Sequence, residues 1–378
     1  MFKKGFFIFL GIVLTTSCST KKPITDPLEF VLASENPNIK RVIDSVAQYE
    51  VQIRYTQIDR AKDSIIFTDY DFQVDDLNYF YPASTVKFPT AVLALERLNQ
   101  IDTLDMHTRF YVEGDSVETT FAKAVSEIFS VSDNDANNRL VEFLGQDAIN
   151  SSLNQKGIAP VRIAHRLGYH SDDLATKPLI IYQNDSTTTI FEGTLNTSPE
   201  PLELSFIEKG IGFYEDEALI NEPFDFSLKN YYPVSTQHGL LKRVIFPEKF
   251  PEKERFDLSQ EQRGYLLMAM HTLPKEVGYD PLEYYDGYCK FFMFGDTKDD
   301  IPKNIKIYNK VGFAYGTLTD CAYITDTEND VEFLLTATLL VNKNGIFNDD
   351  TYEYDKIGIP FLAQLGRQLY AYELKRKE

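Results

Sequence analysis

The spacing of apolar positions changes several times along the chain, and each change marks an element. Residues 38–50 (NIKRVIDSVAQYE) predict a helix. Residues 51–60 (VQIRYTQIDR) and 63–74 (DSIIFTDYDFQV) are β-branched and aromatic runs that predict two strands forming a hairpin. After YPAST, Val92, Leu93, Leu95 and Leu98 recur at helical spacing, so a helix is expected to open near Ser84 and Thr85. Residues 119–145 predict two short helices broken at SVSDND, where Ser, Asp and Asn favour turns and caps over a helix interior. Residues 235–246 and 258–273 predict two more helices, each opening on Ser or Thr. The pattern then switches to strands at 305–313, 320–327 and 331–341, and a last helix is expected over 359–377.

Between about 158 and 234 the chain is least periodic, and rich in Thr, Asn, Asp, Tyr and Pro. A structureless loop of that length is unusual inside a compact domain. Residues 178–183 (PLIIYQ) and 187–195 (TTTIFEGTL) instead predict a small hairpin. No internal repeat or low-complexity tract is present. With strands at both ends and helices in the middle, the expected class is α+β. One antiparallel sheet is formed by the first and last segments and flanked by helices, with a separate helical lobe and a cleft where the two meet.

The N-terminus adds a destination. MFKK is a short basic start, and GFFIFLGIVL (5–14) is too short to span a bilayer. TTSC follows, which is the layout of a secretory signal. Cys18 directly after the apolar run resembles a bacterial lipoprotein signal, although Thr15 stands where that pattern has an aliphatic residue. The resemblance implies a signal peptide over 1–17, a lipidated tether over 18–36 and one domain over 37–378. It also implies attachment to a membrane through a lipid on Cys18, at the periplasmic face of the outer membrane. The chain has 378 residues, enough for a sizeable core, and its net charge of −19 argues against a nucleic-acid partner. The remaining cysteines, Cys289 and Cys321, suit either an export-permitted disulfide or two buried thiols. The five histidines show no metal-ligand spacing, and no metal or other cofactor is expected.

The candidate chemistry lies in three short motifs. Ser84-Thr85-Val86-Lys87 opens a helix, Ser132-Asp133-Asn134 sits between two helices, and Lys310-Val311-Gly312 closes a strand followed by GTLTDCAYI. Each alone has an ordinary reading as an N-cap, a turn and a solvated strand end. Ser19 to Lys22 and Lys343-Asn344-Gly345 repeat the first and third by chance. In order and in these settings, the three resemble the S-x-x-K, S-D-N and K-T-G set of class A β-lactamases and penicillin-binding proteins. The flanks SVSDNDANNRLVEFLG, FDLSQEQRGYLLMAM and GTLTDCAYI are similar to that family as well.

The resemblance implies a β-lactamase/transpeptidase-like fold and a serine hydrolase that forms an acyl-enzyme. Ser84 would be the nucleophile, Lys87 its base, Ser132 a proton relay and Lys310 a second cation. Asn134, Gly312 and Phe313 would bind the substrate, with the backbone N–H groups of Ser84 and Phe313 as the oxyanion hole. A lysine serves as base only if burial and a neighbouring cation disfavour its charge. The first expected activity is hydrolysis of the β-lactam amide. The alternatives are a peptidase or esterase acting on cell-wall or other envelope material, and a non-catalytic envelope binding protein. The partner is a small-molecule or peptide substrate.

Three departures qualify the resemblance, one of them a long insertion, about 158–234, that is expected to cover one rim of the cleft. Val311 replaces a hydroxyl residue that helps hold substrate carboxylates, and the bulky Phe313 follows it. EGTLN (192–196) matches the family's deacylation motif by letter, but lies far along the chain from Asn134 in a strand-like segment. The more natural loop, RIAHRLGYHSDD (162–173), offers no Glu, and Asp172 and Asp173 are no better candidates.

Overall fold

The two runs after the first helices form a hairpin, β1 (Gln52–Ala61) and β2 (Ser64–Phe72). In the computed structural model, which describes residues 26–62, 64–168 and 173–377, this hairpin joins three late strands. They are β3 (Ile305–Ala314), β4 (Thr317–Asp326) and β5 (Val331–Leu340). The sheet is antiparallel throughout, in the order β3-β4-β5-β1-β2, which makes β3 an edge strand. The basic start, the apolar run and Cys18 lie outside the described residues, as do Tyr169 to Asp172. Among the described residues no helix is long and apolar enough to cross a membrane.

Alternation along β5 builds a core on each face of the sheet. Phe333, Leu335, Ala337 and Leu339 point to one side and pack with Phe361, Leu365 and Leu369 of the C-terminal helix, Ile359–Lys377. Leu334 points to the other side, with Cys321 and Tyr323 of β4, into the core of the helical lobe. Both faces are covered, so the strands read as nearly continuous apolar runs.

The lobe centres on α1 (Lys87–Leu98), buried at every position but Arg97. Around it lie α2 (Phe121–Ser130), α3 (Asn134–Leu144), α4 (Val234–Ile245) and α5 (Gln260–His271). Side-chain caps start three of them. Thr120 accepts from the Lys123 N–H, Asp133 from the Ala136 N–H, and Ser259 forms a capping box with Gln262. The predicted Ser opening of α4 differs: Pro233 precedes the first turn, and Ser235 donates to Asp76 Oδ1 at 2.6 Å.

The aperiodic region is ordered around this frame. Strands Leu179–Asn184 and Thr187–Phe191 pair as predicted, but they also extend a sheet with Arg109–Val112 and Thr119–Thr120, so their apolar residues join the lobe core. Farther on, Gly212–Glu215 and Ala218–Ile220 form a hairpin beside Ile346–Phe347. Phe226, Tyr231 and Phe347 there pack under Tyr79 and Tyr81, directly below the Ser84 turn. Cys289 and Cys321 are both free and buried.

One buried ion pair ties α3 to the loop beneath the cleft. Arg166 donates to Glu142 Oε1 at 2.6 Å and Oε2 at 2.8 Å, and to the carbonyls of Asp173 and Ala175; Lys177 N–H also donates to Glu142. Removing one partner of a buried pair leaves the other charge uncompensated, at a cost of about 3–5 kcal/mol. Glu142→Ala is therefore expected to lower stability by about 3 kcal/mol in urea denaturation. A loss below about 1 kcal/mol would mean that the pair does not hold the loop.

Candidate active site

Ser84 sits on a short 3₁₀ turn, Ala83–Val86, that runs into α1. The ordinary reading of Ser84 as an N-cap does not hold, because the cap positions of the turn and of α1 fall on Pro82 and Val86. Thr85 ties the turn instead, donating from both N–H and Oγ1 to the Pro82 carbonyl. Ala83 is left-handed at φ +47° and so is Ser132 at φ +58°. A non-glycine residue in that region costs on the order of 1 kcal/mol, so both candidate serines stand in or beside strained backbone held by its surroundings.

The break between α2 and α3 brings the second motif to the first. Lys87 Nζ donates to the Ser132 carbonyl and to Asn134 Oδ1 at 2.7 Å, and lies 3.3 Å from Ser132 Oγ. Lys310 Nζ reaches across from β3, donating to Ser132 Oγ and to the Val311 carbonyl, each at 2.8 Å. Residues from three distant segments thus form one hydrogen-bonded chain, Lys87–Ser132–Lys310. Ser84 and Asn134 line the cleft next to it, and among the described residues no hydrogen bond joins the Ser84 hydroxyl to this chain.

Burial sets the protonation of this group. Lys87 has no exposed surface, and desolvation, then repulsion from Lys310, hold its pKa well below the usual lysine value. Burial lowers Lys310 to about 8, opposed by nearby Cys289 and Asp320.

Behind Lys310 is a polar cluster that the motifs did not mark. Lys290 donates to Asn309 Oδ1 and the Met270 carbonyl, while Asn309 donates to Asp320 and the Cys289 carbonyl. Asp320 also accepts from the Phe292 N–H, and its burial raises its pKa to about 6. Asn309 precedes Lys310 on β3 and Asp320 lies in the flank after the third motif. Their polar character in a strand was the available signal.

Gly312 sets how closely the sheet approaches Ser84. A Cβ there would lie 2.8 Å from the Pro82 carbonyl oxygen, 2.8 Å from the Ser84 nitrogen and 2.9 Å from the Thr85 nitrogen. The β3–β4 hairpin turns through Tyr315 and Gly316, both at positive φ, as a two-residue turn of this kind requires. Ala314 and Thr317 next to the turn then form the hydrogen-bonded pair. Phe313 and Leu318 are a non-hydrogen-bonded pair, so the Phe313 N–H points off the sheet edge towards the cleft. Together with the Ser84 N–H it forms a donor pair beside the serine. The Phe313 side chain does not plug the site. It is half exposed and packs against Phe291 and edge-on to Tyr354. Val311 is buried in the core on the C-terminal-helix side and does not line the cleft.

The cleft encloses about 420 Å³. Besides Ser84, Asn134 and Phe313, its walls include Tyr81, Leu167, Tyr315, Asn348, Asp350, Tyr352 and Tyr354. Most of these come from loops with no periodic pattern, which is why sequence reading missed them. Glu192 is exposed at the end of its strand and lines a different cavity, with Glu96, Arg97 and Phe143.

The cleft thus gathers a serine, two buried lysines and a second serine where an antiparallel sheet meets a helical lobe, and that fold has counterparts among known proteins. Residues 36–192 match the family model described as "Beta-lactamase enzyme family". The fold is similar to L2 complexed with relebactam, with a TM-score of 0.51 at 15% identity, covering 92% of this chain and 98% of that one. It is also similar to a β-lactamase from Desulfarculus baarsii DSM 2075, with a TM-score of 0.51 at 12% identity and coverages of 90% and 97%. A class A β-lactamase from Mycobacterium abscessus gives 0.50 at 13% identity, with coverages of 89% and 98%. No curated protein matches the chain in sequence. Residues 36–192 are thus similar to that family, and the chain as a whole has a β-lactamase-like fold.

Proposed function

We propose that this protein is an acyl hydrolase that opens amide and ester bonds, β-lactam amides included, through an ester on Ser84. The observation that carries the reading is the Lys87–Ser132–Lys310 chain beside Ser84. A neutral Lys87 has two N–H donors, which suit the Ser132 carbonyl and Asn134, and one lone pair, which leaves its long 3.3 Å contact with Ser132 Oγ to take the Ser84 proton. The Ser84 Oγ–carbonyl carbon bond then forms, and the oxyanion meets the N–H groups of Ser84 and Phe313. As the C–N bond breaks, Ser132 passes a proton to the leaving nitrogen and is resupplied from Lys87, with charged Lys310 holding its hydroxyl. Water then adds to the ester carbon, the acid is released and Ser84 regains its proton.

Acylation is better provided for than deacylation. Asp350 is the only carboxylate among the described residues lining the cleft, and Glu192 faces another cavity. A fluorescent penicillin is therefore expected to label the protein stably, with the adduct mapping to Ser84 by mass spectrometry and absent from Ser84→Ala. A chromogenic cephalosporin should turn over slowly. No adduct with penicillin or with an activated ester would refute the proposal and leave a binding protein of this fold.

The pH dependence follows from Lys310. Burial lowers its pKa to about 8, so its charge is present below that pH and lost above it, sooner than for a free lysine. The labelling rate constant should decline as pH rises through about 8. A profile that stays level or climbs to pH ~10, where free lysines titrate, would exclude a role for the Lys310 charge.

A further inference from the structure

The walls of the Ser84 cleft also indicate what it accepts, provided the acyl-hydrolase reading above holds. We propose that the substrate carries a protonated amine next to an apolar or aromatic group, and no carboxylate, where it faces Asp350.

The first argument is the charge of the lining. Asp350 is the one charged residue among the described residues that line the cleft, and no Lys, Arg or His is among them. The two lysines of the site are no substitute. Both are buried; Lys87 gives its donors to Ser132 and Asn134, and Lys310 gives two of its three to Ser132 and Val311. Position 311, where a hydroxyl would receive a substrate carboxylate in the resembling enzymes, is an apolar side chain turned into the core. A substrate carboxylate placed beside Asp350 loses its water, gains no exposed cation and meets a like charge.

The second argument is continuity. Asn348 and Asp350 also line a larger cavity of about 1030 Å³. Its other walls include Asp216 and Glu217 from the turn of the 212–220 hairpin, and Asp349. None of these four carboxylates forms an ion pair with a described Lys, Arg or His. A ligand running from Ser84 past Asp350 therefore passes into a basin of uncompensated negative charge. The chain's net charge of −19 adds a field of the same sign.

The third argument is the aromatic wall. Phe313, Tyr315, Tyr352 and Tyr354 line the same cleft as Asp350. Ring faces attract ammonium groups, and the same rings cover apolar carbons. An amine-bearing amide or ester satisfies rings and carboxylates together.

The test uses three p-nitrophenyl esters of one arylalkanoic acid, matched except for a terminal ammonium, methyl or carboxylate group. With the full protein at low salt, kcat/KM should fall in that order, with about a tenfold gap between cation and anion that narrows in ~0.5 M NaCl. Asp350→Asn should shrink the cation-to-anion ratio several-fold, and Asp350→Lys should invert it. The ratio is taken within one preparation, so partial misfolding of a variant cancels. Equal rates for the three esters, a preference for the carboxylate, or a ratio unchanged in both variants overturns the proposal while leaving Ser84 acylation intact. If none of the esters acylates Ser84, the acyl-hydrolase reading falls and this one with it.

Discussion

Lys87→Met is expected to slow acylation of Ser84 by about 10²- to 10⁴-fold, the range that a positioned general base contributes. The side chain it replaces is fully buried at the start of α1, with its charge disfavoured by desolvation and by Lys310. Methionine has nearly the same length and a good helix propensity, so the packing around α1 should survive. The substitution leaves Asn134 Oδ1 and the Ser132 carbonyl without their lysine donor, at about 1–3 kcal/mol for a buried unsatisfied acceptor. That is offset in part by removing a group that is costly to bury. The measurement is the rate of fluorescent-penicillin labelling, with a thermal melt followed by circular dichroism as the check on folding. A folded variant labelled within about threefold of the parent rate would remove Lys87 from the mechanism.

Gly312→Ala should be nearly as damaging, for a geometric reason. All three atoms that its Cβ would meet below 3.0 Å are backbone atoms of the Ser84 turn, so no side chain can move aside. The edge of β3 must withdraw, and the Phe313 N–H withdraws with it. Losing one oxyanion donor costs about 3–4 kcal/mol of transition-state stabilisation, or 10²- to 10³-fold in kcat. The loss should fall mainly on kcat, since the donor pair serves the oxyanion more than the bound ground state. Gly264→Ala is the matched control. It lies within α5 with nothing inside 4 Å of the added carbon, so it should keep activity and gain up to about 1 kcal/mol from helix propensity. If Gly312→Ala keeps kcat within a few-fold of the parent, the close approach of β3 is not catalytic.

The long elements were legible because their cores impose a period. β5 could be read from 331–341 since its apolar side chains serve two cores at once. The C-terminal helix was read at its observed bounds, Ile359–Lys377. Short-range chemistry was less certain. Ser84 and Ser235 both looked like caps, but neither caps its helix. Their hydroxyls answer to tertiary neighbours, which local preference does not report. The hairpin at 178–195 was found, but its attachment to residues 109–120 was not, because nothing in an isolated hairpin announces which sheet it extends.

The order and type of the three motifs pointed to the proposed chemistry before any fold was known, because a nucleophilic serine, its lysines and its relay would have to be those residue types wherever they sit. Their meeting at one point was decided by the fold. Ser132 and Lys310 are 178 residues apart and touch only because β3 is the edge strand that faces the lobe. The pocket walls were likewise a tertiary outcome. Tyr81, Asn348, Asp350, Tyr352 and Tyr354 share no sequence period, and the physical reason is that loops are positioned by what they pack against rather than by their own backbone pattern.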